Sequence, residues 1–150
     1  MSRKFLLDTN VLIALTEAGH THHQKAQDWF NSCGNNLWGI CPLVEAGFIR
    51  ITMNPKSYPN PRTIDQAIAI LQAMKGLDRF WYWEMRESWV NLTAPFAAKV
   101  FGHRQVTDAY LLGLAIKENG VLVTFDRGIV DMAGDKFQRN VLLLAPRLAA

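Results

Sequence analysis

The fold is decided by the stretch Lys4-Phe5-Leu6-Leu7-Asp8-Thr9-Asn10-Val11-Leu12, in which a short apolar run ends at an aspartate and a second one follows. The first run predicts a strand from Lys4 to Asp8. The second predicts a helix from Asn10 to Ala18, which Gly19 ends because glycine suits a left-handed C-terminal cap. A strand-to-helix turn therefore falls on Asp8-Thr9-Asn10.

The rest of the chain repeats this alternation. Further strands are predicted at Leu37 to Cys41, Val121 to Phe125 and Val141 to Ala145, with Phe80 to Trp83 as a short aromatic candidate. Further helices are predicted at Thr21 to Cys33, Pro42 to Met53, Thr63 to Lys75 and Val106 to Lys117, with another short one between Trp89 and Phe101. Such alternation predicts an α/β fold, with a mostly parallel central sheet flanked by helices on both faces.

Composition sets the broad class. A chain of 150 residues is long enough for one domain, residues 1–150. The apolar content of 49% and charged content of 19% are those of an ordinary globular protein. Asp8 and Asn10 interrupt the first apolar run, so we expect neither a signal peptide nor a membrane segment. We expect a cytoplasmic protein with Cys33 and Cys41 as free thiols, since their spacing matches no zinc or redox motif.

Four acidic residues stand beside or inside apolar segments. Asp8 and Asp126 each follow a predicted strand, so both should emerge at the carboxyl edge of the sheet, where α/β proteins bind ligands. Asp108 and Glu45, near helix starts, can reach the same edge. Two unit charges about 4 Å apart repel by roughly 4 kcal/mol at an effective dielectric near 20, so the four cannot all stay ionised alone. Oxygen ligands without His or Cys favour Mg²⁺ or Mn²⁺, which can activate a water and orient a phosphodiester.

A structural explanation is available for each acid taken singly. Asp8 could simply cap a helix, and Asp108 could lie in a first turn that favours negative charge. Four acids at one predicted edge are harder to explain in this way. The polar side chains expected to support the carboxylates are Thr9, Asn10, Thr107 and Thr124.

The segments around these acids have a family resemblance. Leu7-Asp8-Thr9-Asn10-Val11-Leu12, the isolated Glu45, Gln105 to Leu111 and Val123 to Arg127 resemble the four signature segments of a PIN domain, and the chain most resembles the VapC toxins. The resemblance extends over essentially the whole chain, and all four family acids are present.

The resemblance implies a single PIN domain that acts as a Mg²⁺- or Mn²⁺-dependent endoribonuclease. Asp8, Glu45, Asp108 and Asp126 would be both the catalytic residues and the metal ligands, and a metal-activated water would hydrolyse the RNA to leave a 3′-hydroxyl and a 5′-phosphate. The resemblance also implies the toxin half of a type II toxin–antitoxin pair, a homodimer inhibited by a VapB-like antitoxin.

Other residues have two interpretations each. Arg104 and Arg127 are candidates for binding RNA phosphate, because guanidinium offers paired donors, or they are merely solvated. The histidines His20, His22 and His23 suggest a transition-metal site, although solvated loop residues are the favoured interpretation. The aromatic residues between Trp81 and Trp89 could stack on RNA bases, but packing is favoured.

Three alternative functions fit parts of the pattern. The first is a PIN nuclease of housekeeping RNA processing. The second is a non-catalytic module that binds RNA or protein. The third is a phosphoacceptor domain of the response-regulator type, which fits less well because no lysine follows a late strand and Lys136 is poorly placed.

Overall fold

The computed structural model describes residues 3–144 of the chain. Within that range the sheet has four strands, all paired in parallel in the order β2-β1-β3-β4. They are β1 (Lys4–Leu7), β2 (Leu37–Gly39), β3 (Val121–Thr124) and β4 (Val141–Leu143). β1 and β3 are the central pair, and their register places Leu7 opposite Val123. The chain segments that follow these two strands therefore leave the sheet at one edge.

Helices connect and flank the strands, as the alternating pattern predicts. The α-helices are α1 (Thr9–Thr16), α2 (His23–Asn31), α3 (Pro42–Met53), α4 (Ile64–Lys75), α5 (Trp89–Thr93), α6 (Val106–Lys117) and α7 (Arg127–Phe137). Short 3-10 helices occupy Ala94–Lys99, His103–Gln105 and Gln138–Asn140. The predicted α/β fold with a parallel central sheet is confirmed. None of the helices between residues 3 and 144 is long and apolar enough to cross a bilayer.

Burial explains why these elements form. β3 is buried along its whole length, and α6 is buried from Ala109 to Ala115, as expected of a central helix. α4 has a narrower buried stripe, and its start is fixed by a capping box in which Thr63 and Gln66 exchange hydrogen bonds. The side chains of both central strands join one hydrophobic core. The strand ends that form the carboxyl edge of the sheet are therefore held in place by the packing of this core.

The aromatic segment differs from the prediction. Phe80 makes an isolated bridge to Trp38 rather than forming a named strand. The following residues still run beside β2, since the N–H of Trp81 donates to the Trp38 carbonyl (2.8 Å) and that of Trp83 to the Ile40 carbonyl (2.9 Å). Because β2 is only three residues long, it offers too short a ladder for a complete fifth strand.

Several other elements also differ from their predicted bounds. The helix predicted between Trp89 and Phe101 is divided, because α5 gives way to a 3-10 helix that contains Pro95, and proline cannot donate to a continuing α-helical ladder. The sequence patterns did not predict α7, whose interior contains Gly134 at a positive φ of 60°. β4 begins at Val141 as predicted, but Ala145 and Pro146, at the predicted end of that strand, lie outside the described residues.

Gly39 is required where the aromatic segment crosses β2. A Cβ at this position would overlap the backbone carbonyl of Trp81, which cannot move without breaking the bonds along β2. Trp83, fully buried, is fixed beside it by a hydrogen bond from its indole N–H to the Phe5 carbonyl (3.2 Å).

We therefore predict that Gly39→Ala lowers the free energy of unfolding by about 1–3 kcal/mol, the usual cost of overpacking a core. Gly102→Ala is the matched control, because nothing lies within 4 Å of a Cβ there and its φ of −164° is open to any residue. Urea unfolding of both variants measures the difference. Equal stability of the two variants would contradict the assigned contact.

Candidate active site

Asp8 is a buried carboxylate at the junction of β1 and α1. It caps α1 through Oδ1, which accepts a hydrogen bond from the Thr9 N–H (2.7 Å). Its backbone N–H donates to the carbonyl of Val123, so the capping turn is tied to the neighbouring strand (3.0 Å). With only 6% of its surface exposed, Asp8 depends on protein donors rather than water.

Thr124, the last residue of β3, joins the ends of the two central strands. Its hydroxyl donates to Asp8 Oδ2 (2.8 Å) and accepts from the Asp126 N–H (3.0 Å). Asp126 in turn caps α7, with Oδ1 accepting from the Gly128 N–H (2.8 Å). One buried hydroxyl therefore sets the spacing between two of the four candidate acids.

Asp108 lies in the first turn of α6 and is half-buried. Burial, followed by the charges of Asp8 and Asp126, raises the pKa of Asp108 from 3.8 to about 7. Burial likewise raises the pKa of Asp8, against the hydrogen bonds from Thr124 and Thr9, and the charge of Asp126 adds to the increase. The three aspartates form one electrostatically coupled group, hereafter the aspartate cluster.

Glu45, in the first turn of α3, has partners of its own. Its Oε1 accepts a hydrogen bond from the Tyr82 hydroxyl (2.6 Å), and its Oε2 lies 2.6 Å from the Lys75 ammonium. Burial and the bond to Glu45 raise the pKa of Tyr82, which therefore remains a phenol donor at neutral pH. The charges that raise the pKa of Asp108 do not include Glu45. The structure thus brings three of the predicted acids together and pairs the fourth with Lys75.

The other polar residues expected to support the carboxylates, Thr9, Asn10 and Thr107, do not share one environment. The Thr9 side chain faces α3, where a Cβ on Gly47 would lie 2.9 Å from its hydroxyl oxygen, so α3 packs closely against the turn that holds Asp8. Asn10 and Thr107 are exposed. Of the four, Thr124 alone has a side-chain hydrogen bond to the aspartate cluster among residues 3–144.

Arg104 and Arg127 are both exposed, next to the segments that carry Asp108 and Asp126. Neither forms an ion pair with any residue in the described part of the chain, so both guanidinium groups are available to an anionic ligand.

Gln105 is a structural link that the sequence patterns did not single out. Its Oε1 accepts from the Phe101 N–H (2.8 Å), and its Nε2 lies 3.7 Å from where a Cβ on Gly128 would stand. It therefore joins the loop before α6 to the Asp126 turn.

The histidines form local structure at the start of α2. His23 Nδ1 lies 2.8 Å from the Ala14 carbonyl, the ring of His22 packs on Phe125, and the His22 N–H donates to His20 Nδ1 (3.0 Å). Within residues 3–144 no group of three or more His, Cys, Asp or Glu side chains is arranged to enclose a metal ion. Among residues 3–144, neither the three histidines nor the acidic residues are arranged in this way.

The aromatic residues are divided between packing and the site. Trp83 is fully buried, and Trp81 packs edge-on against it with ring centres 5.0 Å apart. Tyr82, between them in sequence, points its hydroxyl to Glu45. The contacts of the two tryptophans agree with the packing interpretation. Tyr82 instead contacts the candidate site residue Glu45, and no local sequence pattern indicates that contact.

The raised pKa of Asp108 predicts a pH-dependent stability. The folded protein keeps this proton up to about pH 7 while the unfolded chain loses it near pH 3.8, so the free energy of unfolding decreases as pH rises through this window. Asp108→Asn removes the titration. Relative to the native protein, we expect the unfolding free energy of this variant to increase by roughly 2 kcal/mol between about pH 4 and pH 8. One pKa unit corresponds to about 1.4 kcal/mol, and solvent screens part of the effect. Urea unfolding in EDTA measures both proteins; a pH-independent difference would contradict the assignment.

Removal of the Thr124 hydroxyl should affect both strand ends. Thr124→Val leaves Asp8 Oδ2 and the Asp126 N–H without this partner, and we expect a loss of about 1–3 kcal/mol in unfolding free energy. Thr124→Ser keeps the hydroxyl and should retain the hydrogen bonds. Thermal and urea unfolding of both variants test this. Native stability in Thr124→Val, which keeps the γ-methyl and lacks only the hydroxyl, would contradict the assigned hydrogen bonds.

Comparison with known proteins agrees with this architecture. The PIN domain family model matches residues 5–135. Ribonuclease VapC38 of Mycobacterium tuberculosis is 38% identical over 139 residues, covering 93% of this chain and 96% of that protein. Ribonuclease VapC39 of the same organism is 41% identical over 128 residues, covering 85% and 92%.

Two solved structures share the fold at low identity. One is Mycobacterium tuberculosis VapC20, described as a sarcin-ricin loop cleaving toxin (TM-score 0.59, 15% identity, 89% of this chain and 95% of that one). The other is VapBC2 from Rickettsia felis, bound to a DNA fragment from its promoter (TM-score 0.57, 17% identity, 93% and 96%). With the family match and the VapC relatives, the conclusion is that this chain belongs to the PIN domain family and, within it, to the VapC ribonucleases.

Proposed function

We propose that this protein is a Mg²⁺- or Mn²⁺-dependent endoribonuclease, the toxin of a type II toxin–antitoxin pair. The observation that carries the proposal is the aspartate cluster, in which burial and mutual repulsion raise the pKa of Asp8 and Asp108. Such a group is more stable beside a cation. Its position at the carboxyl ends of central parallel strands is where α/β enzymes bind their ligands, and the relatives bear the name ribonuclease.

The donor chemistry fits a hard divalent cation. The three aspartates offer carboxylate oxygens, and Glu45 on α3 is a fourth acid. This proposed set of donors includes no sulfur or imidazole ligand. A bound Mg²⁺ or Mn²⁺ supplies Lewis acidity for a hydrolytic water and charge neutralisation for the phosphate.

The residues of the chain have separate parts in the proposed reaction. Thr124 orients Asp8 and fixes its distance from Asp126, so the acids keep their spacing when substrate arrives. Arg104 and Arg127, exposed and without carboxylate partners among residues 3–144, bind backbone phosphates of the RNA by paired hydrogen bonds.

The partners and organisation follow the same proposal. We propose that residues 1–150 form a single PIN domain, that the toxin is a homodimer, and that a VapB-like antitoxin inhibits it in the cytoplasm. Support comes from the fold shared with VapBC2 of Rickettsia felis, and from the buried free thiols of Cys33 and Cys41, which suit a reducing compartment.

The direct test is cleavage of total cellular RNA by the purified, antitoxin-free protein. We expect cutting with Mn²⁺ or Mg²⁺, loss of cutting in EDTA, and products with a 3′-hydroxyl and a 5′-phosphate, identified by end-specific ligation. Asp8→Asn and Asp108→Asn should each reduce the rate by more than about 100-fold, because the cation contributes several kcal/mol to the transition state.

Asp131→Asn is the control, since Asp131 is an exposed acid on α7 whose charge does not contribute to the raised pKa of Asp8 or Asp108. It should cut RNA as the native protein does. Full activity in Asp8→Asn or Asp108→Asn, with the fold checked by circular dichroism, would refute the assignment of the aspartate cluster. Cutting that persists in EDTA would refute the metal dependence.

A further inference from the structure

Glu45 differs from the aspartate cluster in having its charge balanced by the protein. The Lys75 ammonium lies 2.6 Å from Oε2, while within residues 3–144 Asp8, Asp108 and Asp126 form no ion pair with lysine, arginine or histidine. Glu45 therefore has a cationic partner in the protein, whereas the three aspartates have none among residues 3–144.

Lys75 and Tyr82 act on Glu45 in different ways. The Tyr82 hydroxyl, 2.6 Å from Oε1, fixes the carboxylate without cancelling its charge. The Lys75 ammonium, 2.6 Å from Oε2, balances that charge. Lys75 Nζ also lies 5.1 Å from the centre of the Tyr82 ring, a cation–π distance that keeps it beside the site.

Of the two contacts of Glu45, the ion pair of Oε2 with Lys75 is the easier one for another cation to replace. The side chains of Lys75 and Glu45 are 36% and 20% exposed, and an ion pair this accessible to water contributes little. Donation from a neutral hydroxyl to a carboxylate, by contrast, remains useful when the carboxylate binds a metal. α3, which carries Glu45, also packs against the Asp8 turn through Gly47 and Thr9, so its backbone is held close to that turn.

We propose that Tyr82 is a positioning residue for Glu45, and that Lys75 is an exchangeable counter-ion which a divalent cation displaces from Glu45 Oε2. This inference rests on the proposed function, since it gives Glu45 a part in cation binding. It assigns opposite effects to two neighbours of one carboxylate: Tyr82 strengthens cation binding, and Lys75 opposes it.

Isothermal titration calorimetry with MnCl₂ and the RNA-free protein tests the proposal without relying on activity. We expect Lys75→Met to tighten Mn²⁺ binding about two- to fivefold, the equivalent of an exposed ion pair. Tyr82→Phe should weaken it roughly tenfold, as for loss of a hydrogen bond that orients a metal ligand. Lys75→Arg, which keeps the cation, should bind Mn²⁺ as the native protein does.

Two controls separate this effect from general changes in charge or folding. Lys117→Met removes another half-exposed lysine, paired with Glu87 at 3.0 Å, and should leave Mn²⁺ affinity unchanged. In a Glu45→Gln background, Lys75→Met and Tyr82→Phe should no longer alter affinity. Thermal unfolding checks that each variant is folded.

Several outcomes would overturn the inference. They are unchanged or weaker Mn²⁺ binding in Lys75→Met, native affinity in Tyr82→Phe, and persistence of either effect in the Glu45→Gln background. None of them affects the proposed function if the native protein binds Mn²⁺ and cuts RNA. A native protein that neither binds Mn²⁺ nor cuts RNA would instead refute the proposed function, and this inference with it.

Discussion

The hydrogen bond from the Thr124 hydroxyl to Asp8 joins the two central strands at the edge where the candidate site lies. Parallel pairing of β1 with β3 brings the strand ends together, and this hydroxyl fixes how Asp8 and Asp126 are spaced. Asp8 can remain a buried carboxyl group because Thr124 and the Thr9 N–H satisfy it. α6 then brings Asp108 next to these acids, where burial and, after it, the charges of Asp8 and Asp126 raise its pKa to about 7. The remaining repulsion between these acids is the physical reason to expect a cation.

Much of this arrangement can be predicted from local sequence. Two apolar runs that each lead to an aspartate define the central strands and place Asp8 and Asp126 at their carboxyl ends. The apolar helix around Asp108 has no polar face to expose, so its burial follows from composition. These signals are local because strand burial and helix periodicity depend on neighbouring residues.

Other features depend on contacts between distant segments and have no local signature. Glu45, Lys75 and Tyr82 lie on α3, on α4 and in the aromatic segment, and only the tertiary fold brings their polar atoms together. The aromatic segment from Phe80 to Trp83 has the sequence pattern of a strand. In the structure it forms a single bridge, because β2 is too short to pair with it fully. α7 was missed because glycines at 128 and 134 weaken its helical pattern, while Asp126 and tertiary packing stabilise it.

The central claim is that Asp8, Asp108 and Asp126 form a cation site whose negative charge no lysine, arginine or histidine among residues 3–144 balances through an ion pair. The most direct measurement is anomalous X-ray diffraction from crystals of the native protein grown with Mn²⁺. We expect a manganese peak between the carboxylates of the aspartate cluster. A peak at His20, His22 and His23 instead, or no peak among the three aspartates at saturating Mn²⁺, would contradict the account.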